Sequence, residues 1–112
     1  MSSLATASHF RIPERLETGR LVLRMFVEGD WRALHEHYSD AECTRFTFRR
    51  ALTEAATWRA MASMAGHWQL RGYGPYAVED KSTKAVLGTV GLWYPLEWPE
   101  PGIKWALARR HW

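Results

Sequence analysis

The last eleven residues of this 112-residue chain constrain its fold more than any other stretch. Between Gly102 and Ala108, large apolar residues alternate with Lys104 and with small alanines. A period of two is typical of a β-strand, and its large apolar face would be formed by Ile103, Trp105 and Leu107. The basic and aromatic sequence Arg110-His111-Trp112 follows directly. We therefore predict a sheet strand that leads into a polar turn.

Alternating apolar residues predict three more strands upstream. They cover Leu21–Phe26, Tyr76–Glu79 and Ala85–Trp93. Gly88 and Gly91 lie inside the last of these, which indicates a bulge or the close approach of another backbone. Consecutive strands that short loops connect are normally antiparallel neighbours, so we expect a mostly antiparallel sheet.

Two helices are predicted between the first and second strands. Asp30 is expected to cap the first helix, with Glu36 and His37 facing solvent. The buried stripe of this helix would consist of Trp31, Leu34, His35 and Tyr38. Thr53 is expected to cap the second, longer helix. Its apolar face would consist of Trp58, Met61, Ala62, Ala65 and Trp68.

The element order is therefore β-α-α-β-β-β, which places the chain in the α+β class with two helices. The segment 43–50 is ambiguous, because Phe46 and Phe48 alternate as in an extended chain without a clear strand around them. Residues 1–11 are small and polar, and we expect them to be disordered. A length of 112 residues allows one domain at most.

Composition and charge exclude several classes of function. The formal net charge of +3 has no basic run or stripe, so we expect no nucleic-acid partner. Cys43 is the only cysteine, which rules out an intrachain disulfide. No secretion signal and no long apolar run occur, so we expect a cytoplasmic protein without a membrane span. The histidines lack metal-ligand spacing, and we expect no metal.

Two separated stretches carry the motifs of one known family. Residues 16–24, followed by Asp30, are similar to an opening patterned L-x-T-x-R-L-x-L-R … D. Residues 103–112 are similar to a strand that runs into a pyrophosphate loop patterned R/Q-x-x-G-x-G/A, with Arg110-His111-Trp112 in its first three places. Both motifs resemble the GCN5-related N-acetyltransferases (GNAT). The opening resembles the branch that acetylates protein N-termini and small amines, such as the ribosomal-protein-alanine N-acetyltransferases.

This resemblance extends from about Ile12 to the last residue and implies a fold. Residues 1–112 would form a single, incomplete domain, the N-terminal portion of the acyl-CoA N-acyltransferase fold. The glycines of the pyrophosphate loop and the C-terminal half would lie beyond Trp112. We therefore expect the active centre at and just beyond this residue.

The resemblance implies acetyl-CoA as the co-substrate. In the family, the pantetheine arm bonds to the backbone of the fourth strand, a role that would fall to Leu107 and Ala108. The pyrophosphate rests on the loop that follows, and its cradle would begin with Arg110, His111 and Trp112. Spacing alone would instead describe an ordinary strand end with solvated arginines.

The resemblance also implies an acceptor site, which the family builds from the loop between its first two helices and from the third and fourth strands. It would be lined by Phe46, Trp93 and Tyr94, with Phe48 and Trp98 nearby. The alternative for these aromatic residues is ordinary core and loop packing.

The catalytic base is left unassigned. The branch often carries Glu-Ile-Gly-Trp on its fourth strand, whereas this chain has Gly102-Ile103-Lys104-Trp105. The usual carboxylate is therefore missing from its place. Glu97 and Glu100 are weak candidates, since a loop glutamate is more often simply solvated.

Two functions remain open. The first is an N-acetyltransferase that moves an acetyl group from acetyl-CoA to a primary amine of a protein N-terminus or a small molecule, with this chain inactive alone. The second is a non-catalytic fragment that serves as an interaction module. The strand Ile103–Leu107 would have unpaired backbone along one side, which favours a homodimer that light scattering would detect.

Overall fold

The computed structural model describes residues 12–112, and its centre is one antiparallel sheet of five strands. The spatial order β1-β2-β3-β4-β5 follows the chain order, although the connection from β2 to β3 is long and contains the helices. The strands are β1 (Leu16–Glu17), β2 (Leu21–Arg24), β3 (Pro75–Asp80), β4 (Val86–Trp93) and β5 (Gly102–Leu107). The predicted α+β class is confirmed. The prediction missed β1, and the expectation for residues 1–11 lies outside the described residues.

Three α-helices connect β2 to β3: α1 (Trp31–Tyr38), α2 (Ala41–Thr44) and α3 (Glu54–Arg71). The predicted cap of α3 is confirmed, because the Thr53 hydroxyl accepts a hydrogen bond from the Ala56 N–H at 3.1 Å. Gly72 ends α3 with a φ of 81°, a left-handed conformation that glycine adopts readily. The ambiguous segment 43–50 begins inside α2 and continues as turns, so the extended alternative is wrong.

The main core lies between α1 and α3. Its buried members are Leu34, Tyr38, Leu52, Met61 and Met64. The prediction for the buried face of α3 was partly wrong, because Trp58 is 42% exposed and Thr57 is fully buried. Thr57 occupies the interior because its hydroxyl lies 2.7 Å from Nδ1 of His35 on α1. This hydrogen bond satisfies a buried polar group that would otherwise be costly.

Asp30 does not cap α1 with its side chain, as the sequence had suggested. It ends a 3₁₀ turn at Glu28–Asp30, and its carboxylate instead accepts hydrogen bonds from the Arg24 guanidinium and the Val27 N–H. Arg24 also donates to Glu79 on β3 at 2.8 Å. These bonds tie the start of α1 to the sheet.

The predicted period of two in β5 is confirmed, and the structure shows which of its two faces is covered. Ile103 and Trp105 are 67% and 69% exposed, whereas Ala106 and Ala108 are 5% and 2% exposed. The helices cover the alanine side of the strand, because small side chains allow α1 to approach the sheet closely. Within residues 12–112, β5 is an edge strand.

Gly88 and Gly91 on β4 lie where the sequence predicted a bulge or close approach, and both features are present. The register shifts between Val78 and Glu79 opposite this part of β4. A Cβ on Gly88 would lie 2.0 Å from the Ala106 carbonyl oxygen of β5. Of the helices that the structure describes, none has both the length and the apolar character to cross a membrane.

Candidate functional site

An open groove of about 720 Å³ lies where the α1–α2 region, the end of β4 and β5 meet. Aromatic side chains dominate its wall, among them Phe46, Phe48, Trp93, Trp98 and Trp112. Its polar members include His37, Glu42, Arg45 and Lys104. An apolar concavity with a few polar groups is the usual form of a small-molecule site.

A second cavity, of about 370 Å³, lies at the Thr18–Leu21 turn and Asp80, among residues to which the sequence assigned no functional role. The Asp80 carboxylate accepts hydrogen bonds from its own hairpin turn, from Ser82 and Thr83. The Asp80 carboxylate is thus already hydrogen-bonded within the turn. We therefore treat the aromatic groove as the candidate site.

Two of the three predicted acceptor-binding residues line the groove, and the third does not. Phe46 and Trp93 line the groove, as do Phe48 and Trp98. Tyr94 is not among the lining residues: its N–H donates to Nε2 of His67 at 2.9 Å, and its ring lies under the Arg71 guanidinium. The structure thus gives Tyr94 a packing role against α3.

The predicted cofactor strand ends at a carbonyl that two side chains contact. The Leu107 carbonyl oxygen lies 3.0 Å from Nδ1 of His37 and accepts a hydrogen bond from the Trp112 indole N–H at 2.8 Å. Ala108 follows with a buried side chain. The end of β5 is therefore fixed to α1 on one side and to the terminal indole on the other.

His37 is a site residue that the sequence analysis missed. It was expected to face solvent, yet its side chain is buried, with 8% of the residue exposed. Its partner Leu107 lies seventy positions away in the chain, so no local pattern could have indicated the contact. A carbonyl only accepts hydrogen bonds, so Nδ1 carries the proton and Nε2 keeps its lone pair when the ring is neutral.

Burial lowers the pKa of His37 below its usual value of 6.5. The Leu107 carbonyl and the Asp40 charge act in the opposite direction, while the Lys104 charge also lowers the pKa. Protonation is therefore harder in the folded chain than in the unfolded chain. The folded state binds fewer protons below about pH 6.5, so stability falls as the pH falls through that value.

We expect the free energy of unfolding to fall between about pH 7 and pH 5, and to fall less in His37→Asn than in the original chain. Urea unfolding at several pH values measures this difference. His111→Asn is the control, since this histidine lies half-exposed in the last turn. An equal fall in the original chain and His37→Asn would contradict this account of His37.

The predicted start of the pyrophosphate cradle is a 3₁₀ turn at Arg109–His111. Nε of Arg110 lies 2.6 Å from a Glu36 oxygen, and the Arg109 guanidinium makes two hydrogen bonds to Asp40. The Arg109 guanidinium is the main cause that lowers the pKa of Asp40. Both arginines are thus engaged with acids of the α1 region. Of the predicted cradle residues, Trp112 lines the groove and Arg110 and His111 do not.

Neither weak candidate for the catalytic base reaches the groove. Glu97 and Glu100 are exposed in the loop between β4 and β5, and neither is among the lining residues. The carboxylate that does line the groove is Glu42, which pairs with Arg45 at 2.8 Å. Across the part of the chain that the structure describes, no cluster of His, Cys, Asp and Glu could hold a metal ion.

Lys104 is the second site residue that the sequence did not identify. It lies in Gly102-Ile103-Lys104-Trp105, the segment from which the expected carboxylate is missing. Its Nζ lies 5.3 Å from the centroid of the Trp93 ring, which stacks in turn on His67 at 4.8 Å. Burial lowers the pKa of Lys104. The sequence showed that the expected carboxylate is missing from this segment, but it could not show where the Lys104 side chain would point.

Comparisons with known proteins agree with this geometry. A family model described as "Acetyltransferase (GNAT) domain" matches residues 20–112. A crystal structure of an acetyltransferase from Agrobacterium tumefaciens is 25% identical, with a TM-score of 0.74 over 91% of this chain and 58% of that one. A GNAT-family acetyltransferase from Bacillus anthracis has the same fold at 20% identity, with a TM-score of 0.69 over 86% and 54%. The chain thus spans little more than half of these solved relatives, and it belongs to the GNAT acetyltransferase domain family.

Proposed function

We propose that this chain forms the acceptor groove and part of the acetyl-CoA cleft of a cytoplasmic N-acetyltransferase. The reaction moves the acetyl group of acetyl-CoA to a primary amine of a protein N-terminus or a small molecule. The observation that supports this most strongly is that His37 lines the aromatic groove of about 720 Å³ and also contacts the Leu107 carbonyl at the end of β5.

The end of β5 fits the pantetheine arm of acetyl-CoA. As an edge strand within residues 12–112, β5 has backbone groups without a strand partner on one side. Such an edge can bind an extended chain that carries amide groups, as pantetheine does. His37 and Trp112 hold the Leu107 carbonyl in place and so position this edge. When bound, acetyl-CoA would supply the activated acetyl group.

The groove must hold the acceptor with its amine unprotonated, because an ammonium group has no lone pair with which to attack. Lys104 favours the neutral amine, since a nearby positive charge lowers the pKa of a second cation. Phe46 and Trp93 would contact the apolar part of the acceptor and exclude water from it. In the transfer, the C–N bond forms and the C–S bond breaks, and the coenzyme would leave as the free thiol after the proton lost by the amine balances its thiolate.

Calorimetric titration with acetyl-CoA tests the proposal on the 112-residue chain. We expect binding but no release of free thiol when primary amines are added, because the chain spans only 54–58% of the two solved relatives. Absence of binding would contradict the use of acetyl-CoA. Thiol release that depends on the amine would establish the transfer and refute the expectation that the chain is inactive alone.

The alternative function, an interaction module, is favoured by one observation. Trp98, Ile103, Trp105 and Trp112 are all between 47% and 69% exposed around β5. Exposed apolar groups beside an open strand edge favour contact with another polypeptide. A homodimer through β5 remains a prediction under either function.

A further inference from the structure

Lys104 is held in the groove without a counter-charge among residues 12–112. The ion pairs found there involve other basic residues, including Arg45 with Glu42 in the same groove, and none includes Lys104. The contact that Lys104 does make is with the face of Trp93. The Trp93 ring lies beside the Lys104 ammonium and His37 is within range of its charge, so this half-buried cation has lost hydration without gaining an anion among residues 12–112.

The surroundings of this cation make it accessible to a ligand. Lys104 lines the groove together with Phe46, Trp98 and Trp105, which are 85%, 47% and 69% exposed. A ligand that covers these rings would remove water from the groove and strengthen any charge pair formed in it. An anion placed beside Nζ would compensate the desolvation that lowers the pKa of Lys104.

We propose that Lys104 binds a carboxylate of the acceptor, so that the groove selects a primary amine that also carries a carboxylate and an apolar side group. This inference rests on the proposed function, since it names the acceptor class of the same groove. The aromatic wall holds the apolar group, and Lys104 holds the carboxylate. The acceptor thereby brings a counter-charge to Lys104, which forms no ion pair among residues 12–112.

The same chemistry could come from two sources, a free amino acid or an acidic side chain near a peptide N-terminus. L-phenylalanine and L-phenylalaninamide represent the first source, because they differ only in carboxylate against neutral amide. The amidated dipeptides Ala-Asp and Ala-Asn represent the second source, because their second side chains differ only in carboxylate against neutral amide. Tighter binding of the carboxylate probe than of the amide probe in either pair supports the proposal, and the pair that shows it identifies the source.

The experiment is calorimetric titration of each probe into the original chain and into Lys104→Met. In one of the pairs, we expect the original chain to bind the carboxylate probe at least about tenfold more tightly than the amide probe, the lower end of the effect of a hydrogen bond to a charged group. Lys104→Met should abolish that preference. Lys84→Met is the matched control, because it removes the same charge from an exposed hairpin residue and should preserve the preference.

Two results would overturn the proposal. The first is equal affinity within both pairs for the original chain. The second is a preference that survives in Lys104→Met, or that Arg45→Met abolishes instead. If Lys104→Met keeps the preference and unfolds at lower urea, Lys104 has a packing role only. If the chain does not bind acetyl-CoA but still prefers the carboxylate probe, the proposed function is refuted. Recognition of a carboxylate by Lys104 would then still stand.

Discussion

Replacing Asp30 with alanine should lower the free energy of unfolding by about 3 kcal/mol, because it removes one partner of a buried ion pair. The Arg24 guanidinium makes two bonds to the Asp30 carboxylate, at 2.8 and 3.1 Å, and both side chains are largely buried. Without Asp30, the arginine keeps Glu79 but loses its bidentate partner. The Val27 N–H also loses its acceptor. Urea unfolding followed by circular dichroism measures the loss.

Glu42→Ala is the control for this prediction, since the Glu42–Arg45 pair is exposed and should change stability by less than about 0.5 kcal/mol. A loss below about 1 kcal/mol for Asp30→Ala would contradict the role of the buried pair. The result also bears on the site, because Asp30 fixes the start of α1 and α1 carries His37. We therefore expect the mutation to weaken acetyl-CoA binding as well.

Gly88→Ala should destabilise the chain by about 2–3 kcal/mol, the upper part of the range for overpacking a close-packed interior. The added Cβ would lie 2.0 Å from the Ala106 carbonyl oxygen, which belongs to the backbone of β5 and cannot rotate away. This clash can be relieved only if β4 and β5 separate beside Leu107, which pairs with Gly88. The same mutation should therefore disturb the end of β5. Thermal and urea unfolding report the stability change.

Gly66→Ala is the matched control and should have the opposite sign. Gly66 lies inside α3, and a Cβ there would have no heavy atom within 4 Å. Alanine is a better helix former, so stability should rise by about 0.5–1 kcal/mol. Equal effects of the two glycine replacements would show that backbone entropy, and not contact between strands, determines the outcome at Gly88.

Features that depend on neighbouring residues were predictable from the sequence. The Thr53 cap and the glycines of β4 are of this kind, because a helix cap and a bulge each have a local chemical signature. The antiparallel pairing of β3, β4 and β5 followed from the short loops between them. The resemblance at residues 16–24 and 103–112 then correctly indicated the family.

Features that depend on distant contacts were not predictable. A helical wheel placed His37 on the solvent side of α1, but β5 lies there and its Leu107 carbonyl binds the ring. The alternation in β5 showed two faces without showing which one the helices cover. The position of the Lys104 side chain was unpredictable for the same reason, since only the folded chain brings its ammonium over the Trp93 ring. The side of an element that becomes buried is decided by the whole fold.

We expect acetyl-CoA to bind at the end of β5 and its acceptor to bind in the adjoining aromatic groove. Titration of acetyl-CoA into the ¹⁵N-labelled chain, followed by two-dimensional NMR, detects this binding residue by residue. The largest shifts are expected at the amides of Leu107 and Ala108 and at the Trp112 indole. An unchanged spectrum, or shifts confined to the cavity at Thr18–Leu21 and Asp80, would refute binding at the end of β5.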